Sequence, residues 1–544
     1  MTSKGRRSGE RWRGTAGAAA GLLAALLALG VSEVVAGLLG RASSPVIAVG
    51  GAFVDRTPRW LKELAIRSFG ENDKDVLLAG VIATVLLLAL AVGVLAVRHR
   101  LLGYAGVAAL GVVAAAAAVT RPNADWQDAL PSLSGGVAGV VALGLLLRAV
   151  RAPSARDVPA ADAGHVPSDV GTFGPGTGDN GTGDGGSGVD RRRFLATAAG
   201  VGVAALGSDV VGRAAVRRLG AAASRSAVRL PAPASPAPAL ARGAVLQTPG
   251  VSAFFTSERD FYRVDTALTV PQVATEDWSL RVFGDVEREL TLDWEQLLAR
   301  PMIERDITLT CVSNEVGGDL VGTARWLGVP LGPLLAEAGP RAGADQIVSR
   351  SVDGMTIGTP TAVAMDGRDA MLAVAMNGRP LTPKHGFPCR MVIPGLYGYV
   401  SATKWVTELE VTSFAAYDAY WVKRGWAAQA PIKTASRIDT PRPFSRNRVG
   451  RVAVAGVAWA QHRGVARVEV RVDGGPWQQA QLSTAASTDL WRQWVWEWEA
   501  TTPGSHKLEV RAADTDGAVQ PEARETPFPE GSQGWHSVVV SVTD

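Results

Sequence analysis

Two cysteines are the side chains best suited to chemistry in this 544-residue chain, and their surroundings differ. Cys311 follows DITLT (306–310), a β-branched run that predicts a strand, and precedes the glycine-rich VSNEVGG (312–318). A thiol between a strand end and a glycine-rich loop is well placed to face a ligand. The alternative interpretation is a buried cysteine that packs as a small hydrophobic residue, and we adopt it for Cys389.

Nucleophilic catalysis and metal binding are the two kinds of chemistry open to Cys311. A cysteine protease would need a histidine base, but no Gly-x-Cys-x-Gly or Gln-Ala-Cys pattern surrounds this cysteine. A thiolate bound to a soft, heavy metal fits the surroundings better. Because the sequence holds two cysteines, a disulfide scaffold is excluded, as is a four-cysteine zinc or iron–sulfur site within the chain.

Three segments resemble, in the same order, the sulfite oxidase family of molybdenum enzymes. TLTCVSNEVGG (308–318), followed by ARWLGVPLGPLL (324–335), is similar to the family's metal-ligand segment. FYRVDTALTVP (261–271) resembles the family's Phe-x-Arg-Asn-His…Val-Pro segment. LAVAMNGRPLTPKHGFPCRMVIPGLYGYVSATKW (372–405) resembles the segment that carries its His-Gly-[Phe/Tyr]-Pro-x-Arg and Lys-Trp motifs. The resemblance covers about residues 250–544, slightly over half of the chain.

The resemblance implies a molybdenum–molybdopterin cofactor and a set of site residues. In the family one cysteine thiolate binds molybdenum and the pterin supplies the other sulfur ligands, so Cys311 is the expected metal ligand. The expected catalytic residues are Cys311, Arg263 and Lys404, the two cations neutralising an anionic substrate or the pterin phosphate. The expected cofactor-binding residues are Phe261, Arg263, Asn314, Asp353, His385, Arg390 and Lys404. As alternatives, Arg390 and Lys404 are ordinary charges at sheet ends, and Asp353 initiates a turn before Gly354.

Two departures from the family pattern concern the substrate. The family's Arg-Asn-His is Arg263-Val264-Asp265 here, so a histidine that faces the pterin is replaced by a carboxylate. YWVKRGW (420–426) places Trp426 where sulfite oxidases have a tyrosine. A tyrosine offers a hydroxyl to an oxyanion, whereas tryptophan offers one N–H donor. These changes weaken the expectation of sulfite as the substrate and leave the expected cofactor unchanged.

The N-terminal third is predicted to form a transmembrane α-helical bundle over residues 1–151. Hydrophobic residues make up 47% of the chain, and the mean hydropathy is +0.12. Basic residues near Arg6, Arg98 and Arg148 predict a cytoplasmic N-terminus and four crossings. The four predicted spans are 17–39, 76–97, 101–119 and 135–150.

Three connecting segments are predicted between the membrane domain and the catalytic domain. Residues 152–189, rich in Gly, Ser and Asp, are a flexible linker. Residues 190–212 begin with Asp-Arg-Arg-Arg-Phe-Leu and continue apolar, which is typical of a twin-arginine export signal or of a fifth helix behind a basic cluster. Residues 213–247 include the Pro/Ala-rich run 228–243 and are predicted as an extended spacer.

The C-terminal half is predicted to contain an α+β molybdopterin-binding domain over 248–426 and an immunoglobulin-like β-sandwich over 427–544. Short alternating strands separated by Gly, Asp and Pro favour the sandwich. VEVRVDGGPWQQAQL (468–482) and GWHSVVVSV (534–542) resemble the family's immunoglobulin-like dimerisation domain, so the resemblance implies a homodimer.

The sequence therefore predicts a multi-pass protein of the cytoplasmic membrane, in contact with lipid, whose catalytic domain lies on the extracytoplasmic side. Its expected activity is oxo transfer to or from a small sulfur-containing or anionic substrate. The alternatives are an S-oxide or N-oxide reductase of the same family, and a non-catalytic exported binding protein with a vestigial pterin site. No Cys-x-x-Cys-His haem motif occurs, so a separate cytochrome or membrane redox protein is the expected electron partner. The net charge of +4, with scattered arginines, does not favour nucleic acid.

Overall fold

The computed structural model describes residues 3–39, 44–58, 73–121, 124–151, 188–219 and 221–544. The chain divides into two units, Met1–Leu219 and Gly220–Asp544, and each is described by itself. Nearly all of the linker predicted at 152–189 lies outside the described residues.

The N-terminal unit is helical throughout its described ranges, because Ala, Leu and Val dominate and proline is rare. Its helices are α1 (Ser3–Leu38), α2 (Pro45–Arg56), α3 (Asp73–Arg98), α4 (Arg100–Val119), α5 (Leu130–Arg151) and α6 (Gly188–Leu219), with a 3₁₀ turn at Trp126–Ala129. Small residues let these helices approach closely. A Cβ added at Gly21 in α1 would stand 2.0 Å from the carbonyl oxygen of Ala89 in α3, so only glycine fits there.

Five apolar stretches within the described ranges have the length and hydropathy that a membrane crossing requires. They are Trp12–Leu38, Val76–Arg98, Arg100–Val119, Trp126–Val150 and Arg192–Gly212. Four of them coincide with the predicted spans, although the fourth begins earlier than residue 135. The fifth forms most of α6, so the segment predicted as an export signal or a fifth helix is helical.

The spacer predicted at 213–247 is wrong in its first part. Helix α6 continues to Leu219, and α7 covers Ala221–Ala227, because this stretch is rich in Ala and Arg and its first proline is Pro231. The Pro/Ala-rich run itself contains no helix and packs against other segments of the C-terminal unit. There the Ala234 N–H donates to the Met302 carbonyl at 2.8 Å, and the Glu304 N–H donates to the Ser235 carbonyl at 2.9 Å.

The first part of the C-terminal unit contains two mixed or antiparallel sheets with short helices between their strands. The strands are β1 (Ser279–Gly284), β2 (Leu290–Asp293), β3 (Ile303–Thr310), β4 (Val321–Pro330), β5 (Gln346–Ser351), β6 (Thr356–Pro360), β7 (Met371–Met376), β8 (Arg379–Pro380), β9 (Arg390–Val392) and β10 (Val406–Thr412). The helices are α8 (Trp294–Leu298), α9 (Leu331–Ala338) and α10 (Thr361–Met365), with 3₁₀ turns at Thr275–Asp277, Pro383–His385, Gly398–Val400 and Val422–Arg424.

The two sheets have the orders β2-β1-β10-β5-β6 and β3-β4-β7-β8, and β9 also pairs with β7. Strands β1 and β10 are parallel, and the other pairs of the first sheet are antiparallel. Helix α8 begins at a capping box, in which Asp293 accepts from the Gln296 N–H while the Gln296 side chain accepts from the Asp293 N–H. Strand β3 contains the run 306–310, which the sequence predicts as a strand.

The second part of the C-terminal unit consists of two further sheets over one shared apolar core. Their strands are β11 (Ala435–Thr440), β12 (Arg446–Arg448), β13 (Gly450–Trp459), β14 (Val465–Val472), β15 (Gln478–Gln479), β16 (Gln481–Leu482), β17 (Arg492–Ala500), β18 (Gly504–Asp514) and β19 (His536–Thr543). The sheet orders are β11-β13-β17-β16 and β12-β19-β18-β14-β15. Val454, Trp494 and Val510 lie in the core between them. Trp459 and Trp491 belong instead to the core of the first part, so the two parts pack together.

Candidate active site

Cys311 lies at the end of β3, where the strand leaves the sheet. The last four residues of β3 are buried, and the Cys311 N–H donates to the Leu320 carbonyl at 2.9 Å, which holds the turn that follows. The side chain is 7% exposed. The Ser313 N–H lies 3.4 Å from Sγ and donates to it. Burial raises the pKa of the thiol, while this N–H and the charge of Lys404 oppose the rise.

A pocket of about 950 Å³ opens beside Cys311. Its walls come from the loop before β1, the end of β3, the turn after β5, the segment around β9, and residues 398–426. The predicted site residues that line it are Cys311, Phe261, Asp353, His385, Arg390 and Lys404. Residues that are separated by up to 143 positions in the chain therefore meet at one cavity.

His385 and Arg390 are held beside the pocket by a tight turn at Gly386. Gly386 has φ +104°, and a Cβ there would stand 3.0 Å from the Lys404 Cβ and 3.1 Å from the Arg390 Cβ. His385 Nε2 lies 2.8 Å from the Glu258 carbonyl oxygen, so it carries the proton and donates it. Burial, and then the charges of Arg390 and Lys404, lower the pKa of His385 to about 4. The ring is therefore neutral at pH 7.

Arg390 is a buried guanidinium with incomplete hydrogen bonding. It lies over the ring of Trp326 at 5.0 Å, and Nη1 donates to the His385 carbonyl at 3.3 Å. Burial lowers its pKa to about 10, so it stays charged at pH 7. Its Nε has no hydrogen-bond partner among the described residues, and neither has Oγ of Ser351, which also lines the pocket. Buried donors of this kind usually have a partner, so these two are suited to a bound group.

Lys404 is held by Asp265, which also binds Arg263. Lys404 Nζ and Arg263 Nε each lie 2.7 Å from Oδ2 of Asp265, and the side chains are 10%, 30% and 4% exposed for Lys404, Arg263 and Asp265. Burial lowers the pKa of Lys404 to about 8, while Asp265 opposes this effect. Of the two predicted catalytic cations, Lys404 lines the pocket, whereas Arg263 does not line it.

Asn314 is the other predicted site residue that the structure does not bring to this pocket. Its side chain is buried, and Oδ1 accepts from the Leu320 N–H at 2.8 Å. It lines a separate, smaller cavity that also contacts Tyr397 and Gln520. Asp353 does line the main pocket. Its Oδ1 also accepts from the Met355 N–H at 3.3 Å, so Asp353 both forms the turn and lines the pocket.

An aromatic wall that the sequence analysis largely missed closes one side of the pocket. It consists of Tyr399, Trp421 and Trp426, whose rings follow each other at centroid distances of 5.8 and 6.2 Å. Tyr262 also lines the pocket and stacks on Phe261 at 5.2 Å. Trp426 was identified as a departure from the family pattern. Tyr399 and Trp421 lie inside segments that resemble the family. Their closeness to Trp426 was the signal that could have identified them as part of the wall.

Cys389 is buried in the core and lies outside the pocket lining.

Comparison with known proteins agrees with this geometry. Residues 267–421 match the family described as the oxidoreductase molybdopterin binding domain. Mitochondrial sulfite oxidase of Rattus norvegicus is 30% identical over 329 residues, which are 51% of this chain and 59% of that protein. This chain therefore spans little more than half the length of that relative. The sulfane dehydrogenase SoxCD of Paracoccus pantotrophus is a more distant structural neighbour, with a TM-score of 0.46 and 23% identity over 54% of this chain and 85% of that one.

A short bacterial relative is covered more completely. The uncharacterized oxidoreductase YuiH of Bacillus subtilis is 32% identical over 149 residues, which are 27% of this chain and 72% of that protein. The match to the domain family covers most of the residues that line the pocket, and the matched relatives include sulfite oxidase. This chain belongs to the sulfite oxidase family of molybdopterin-dependent oxidoreductases, whose cofactor is molybdenum bound to molybdopterin.

Proposed function

We propose that this chain is a membrane-tethered enzyme that moves an oxygen atom to or from a small substrate on the extracytoplasmic side of the cytoplasmic membrane. The observation that carries the proposal is the position of Cys311, whose buried side chain lines a cavity. Arg390 Nε and Ser351 Oγ belong to residues that line the same cavity, and both atoms lack partners among the described residues.

The residues around the pocket fit the family's cofactor. Within the described residues no group of three or more His, Cys, Asp or Glu side chains is arranged to hold a metal ion. A single thiolate from Cys311 is the protein ligand that this arrangement offers. Arg390 would donate to the anionic part of the pterin, and Ser351 to one of its acceptors. When bound, the cofactor supplies two-electron chemistry coupled to the transfer of an oxygen atom.

The chain's own residues would orient the substrate and exclude water. The aromatic wall covers one side of the pocket and offers the Trp426 N–H as a donor. Lys404 provides a positive charge inside the pocket, and its bond to Asp265 fixes where that charge lies. His385 is neutral at pH 7 and donates through Nε2 to Glu258, so Nδ1 is left as an acceptor for the cofactor.

The five apolar helices support the membrane tether. Five crossings that start from a cytoplasmic N-terminus would end on the extracytoplasmic side, which supports the proposed location of the C-terminal unit. The electrons would pass to or from a separate cytochrome or membrane redox protein. By the family resemblance, the two C-terminal sheets would form an immunoglobulin-like sandwich that pairs two copies of the chain.

Cofactor content is the direct test of this function. We expect about one molybdenum and one pterin per chain in the full-length protein purified from a molybdenum-replete host. Cys311→Ser should lose redox activity with a panel of oxyanions, sulfoxides and N-oxides while pterin is retained. Cys389→Ala is the matched control, because Cys389 is the other cysteine of the chain and is also buried; its cofactor content should match that of the wild type.

The outcome also separates the alternatives. A properly folded and exported wild type without molybdenum or pterin would rule out the enzyme and favour the exported binding protein. A loaded protein active only on sulfoxides or N-oxides would identify the reductase alternative.

A further inference from the structure

The charged groups that line the pocket cancel one another. The cations are Arg390 and Lys404, and the carboxylates are Asp265 and Asp353. His385 adds no charge at pH 7, because burial lowers its pKa to about 4. Arg263, which pairs with Asp265 but does not line the pocket, adds one positive charge. The roughly two negative charges of the phosphate on a pterin cofactor outweigh it, so the loaded site is negative. Dianions are repelled from such a site, because like charges within a few ångströms interact strongly where water is excluded.

Asp265 is the carboxylate that creates this balance. Its Oδ2 lies 2.7 Å from both Lys404 Nζ and Arg263 Nε, and its Oδ1 lies 3.4 Å from Arg263 Nη2. The side chain is 4% exposed, which strengthens both ion pairs relative to a surface position. An oxyanion that approached Lys404 would have to compete with a carboxylate already in place and oriented by two cations.

Part of the pocket lining is aromatic. The rings of Tyr399, Trp421 and Trp426 form the aromatic wall, and the hydroxyl of Tyr399 points away to the Ala427 carbonyl at 2.7 Å. Aromatic faces favour apolar substituents and offer an oxyanion few donors. The charge balance and the wall therefore select the same kind of ligand.

Resting on the function proposed above, we propose that the substrate is a small uncharged molecule with apolar substituents, and that Asp265 is the residue that excludes dianionic oxyanions such as sulfite. The carboxylate of Asp265 already pairs with Lys404, which is the cation that an oxyanion would need. The preference is then a property of this chain's own side chains.

Two probes of the same shape and different charge test this assignment. Sulfate and dimethyl sulfone both have a tetrahedral sulfur, and only sulfate is charged. Their dissociation constants are measured by titration calorimetry on the cofactor-loaded full chain at constant ionic strength. The titrations are made at pH 6, because the pKa of Lys404 is about 8 and falls further when Asp265 loses its charge.

We expect the wild type to bind dimethyl sulfone at least about tenfold more tightly than sulfate. Asp265→Asn should tighten sulfate binding by about tenfold or more and change dimethyl sulfone binding little, whereas Asp265→Glu should retain the wild-type preference. Asp306→Asn is the matched control. Asp306 is a 7% exposed carboxylate paired with Arg325 away from the pocket, so both constants should stay unchanged.

Sulfate binding by the wild type as tight as that of dimethyl sulfone would overturn the proposal, and so would an Asp265→Asn protein that binds sulfate no better. If Asp265→Asn does not load with cofactor, the wild-type comparison and Asp265→Glu decide. A wild type without molybdenum and pterin would refute the proposed function instead, so the two failures are distinguishable.

Discussion

At the scale of single residues, burial sets the ionisation of the pocket. It lowers the pKa of Arg390 to about 10 and that of Lys404 to about 8, and both remain cations at neutral pH. Lys404 is paired with Asp265. Among the described residues no carboxylate pairs with Arg390, and its Nε has no hydrogen-bond partner. The same group is therefore the one most available to an anionic cofactor.

Arg390→Lys should fold and lose cofactor. A lysine keeps the charge but cannot present two parallel N–H donors or stack on Trp326. We expect the pterin content after gel filtration to fall by about tenfold, the result of losing roughly 1.4 kcal/mol of binding. Arg325→Lys, which changes a partly buried arginine outside the pocket lining, is the control. Full pterin retention by Arg390→Lys would show that Arg390 does not hold the cofactor.

His536 should make the stability of the C-terminal unit depend on pH. Burial lowers its pKa from 6.5 to about 4, and Nδ1 accepts from the Ile438 N–H at 3.0 Å. The unfolded chain therefore binds more protons than the folded one between these values, so stability is lost as pH falls below 6.5. The loss due to this one group is about 2 kcal/mol at pH 5.

His536→Asn tests that pH dependence, since the amide oxygen can replace Nδ1 as the acceptor. The decrease in Tm from pH 7 to pH 5, followed by tryptophan fluorescence, should be about 2–4 °C smaller than in the wild type. His506→Asn should have the opposite sign. A hydrogen bond to Asp473 raises the pKa of His506, so its contribution is present below pH 6.5 and is lost as pH rises. Equal pH dependence in both variants would contradict this account.

At the scale of elements, the turn at Gly386 is what brings two cations together. Arg390 at the start of β9 forms a β-bridge with Lys404, which precedes β10, and Gly386 passes close to both. This bridge was not predictable from the sequence. Arg390 and Lys404 each lie in a recognisable motif, but nothing in the sequence indicates that the two residues pair with each other. The strand that ends before Cys311 was predictable, because β-branched residues report local structure.

Gly386→Ala should destabilise the site more than a glycine change with the same backbone conformation elsewhere. An added Cβ meets the Arg390 and Lys404 Cβ atoms at 3.1 and 3.0 Å, in addition to the strain of a positive φ. Gly367→Ala is the control, because Gly367 has φ +92° and open space around it. We expect unfolding free energy to fall by about 1 kcal/mol in the control and by about 2–3 kcal/mol in Gly386→Ala, with cofactor loss only in the latter. Equal effects would show that crowding at Gly386 is unimportant.

At the scale of the whole molecule, the chain combines an apolar helical unit with a β-rich unit that holds the pocket. The division was predictable, because hydrophobic runs of membrane length differ in composition from alternating strands. The ion pairs of Asp265 were not, since Asp265 and Lys404 are 139 positions apart and only the folded chain brings them to 2.7 Å. Asn314 shows the converse limit: it lies three positions after Cys311, yet its side chain faces a different cavity.

The proposed topology is testable with single engineered cysteines, because both native cysteines are buried. Phe444 is 82% exposed in the C-terminal unit, and His99 lies in the turn between α3 and α4. In intact cells a membrane-impermeant maleimide should label Phe444→Cys and not His99→Cys, while both should be labelled after lysis. Labelling of His99→Cys alone would place the catalytic unit in the cytoplasm.

The central claim is that the Cys311 thiolate is the protein's ligand to molybdenum. X-ray absorption at the molybdenum edge of the purified full chain tests it most directly, because the technique counts the sulfur atoms bound to the metal. We predict that Cys311→Ser loses one sulfur from the first coordination shell, whereas Cys389→Ala keeps the wild-type number. An unchanged sulfur number in a Cys311→Ser protein that still holds molybdenum would contradict the account.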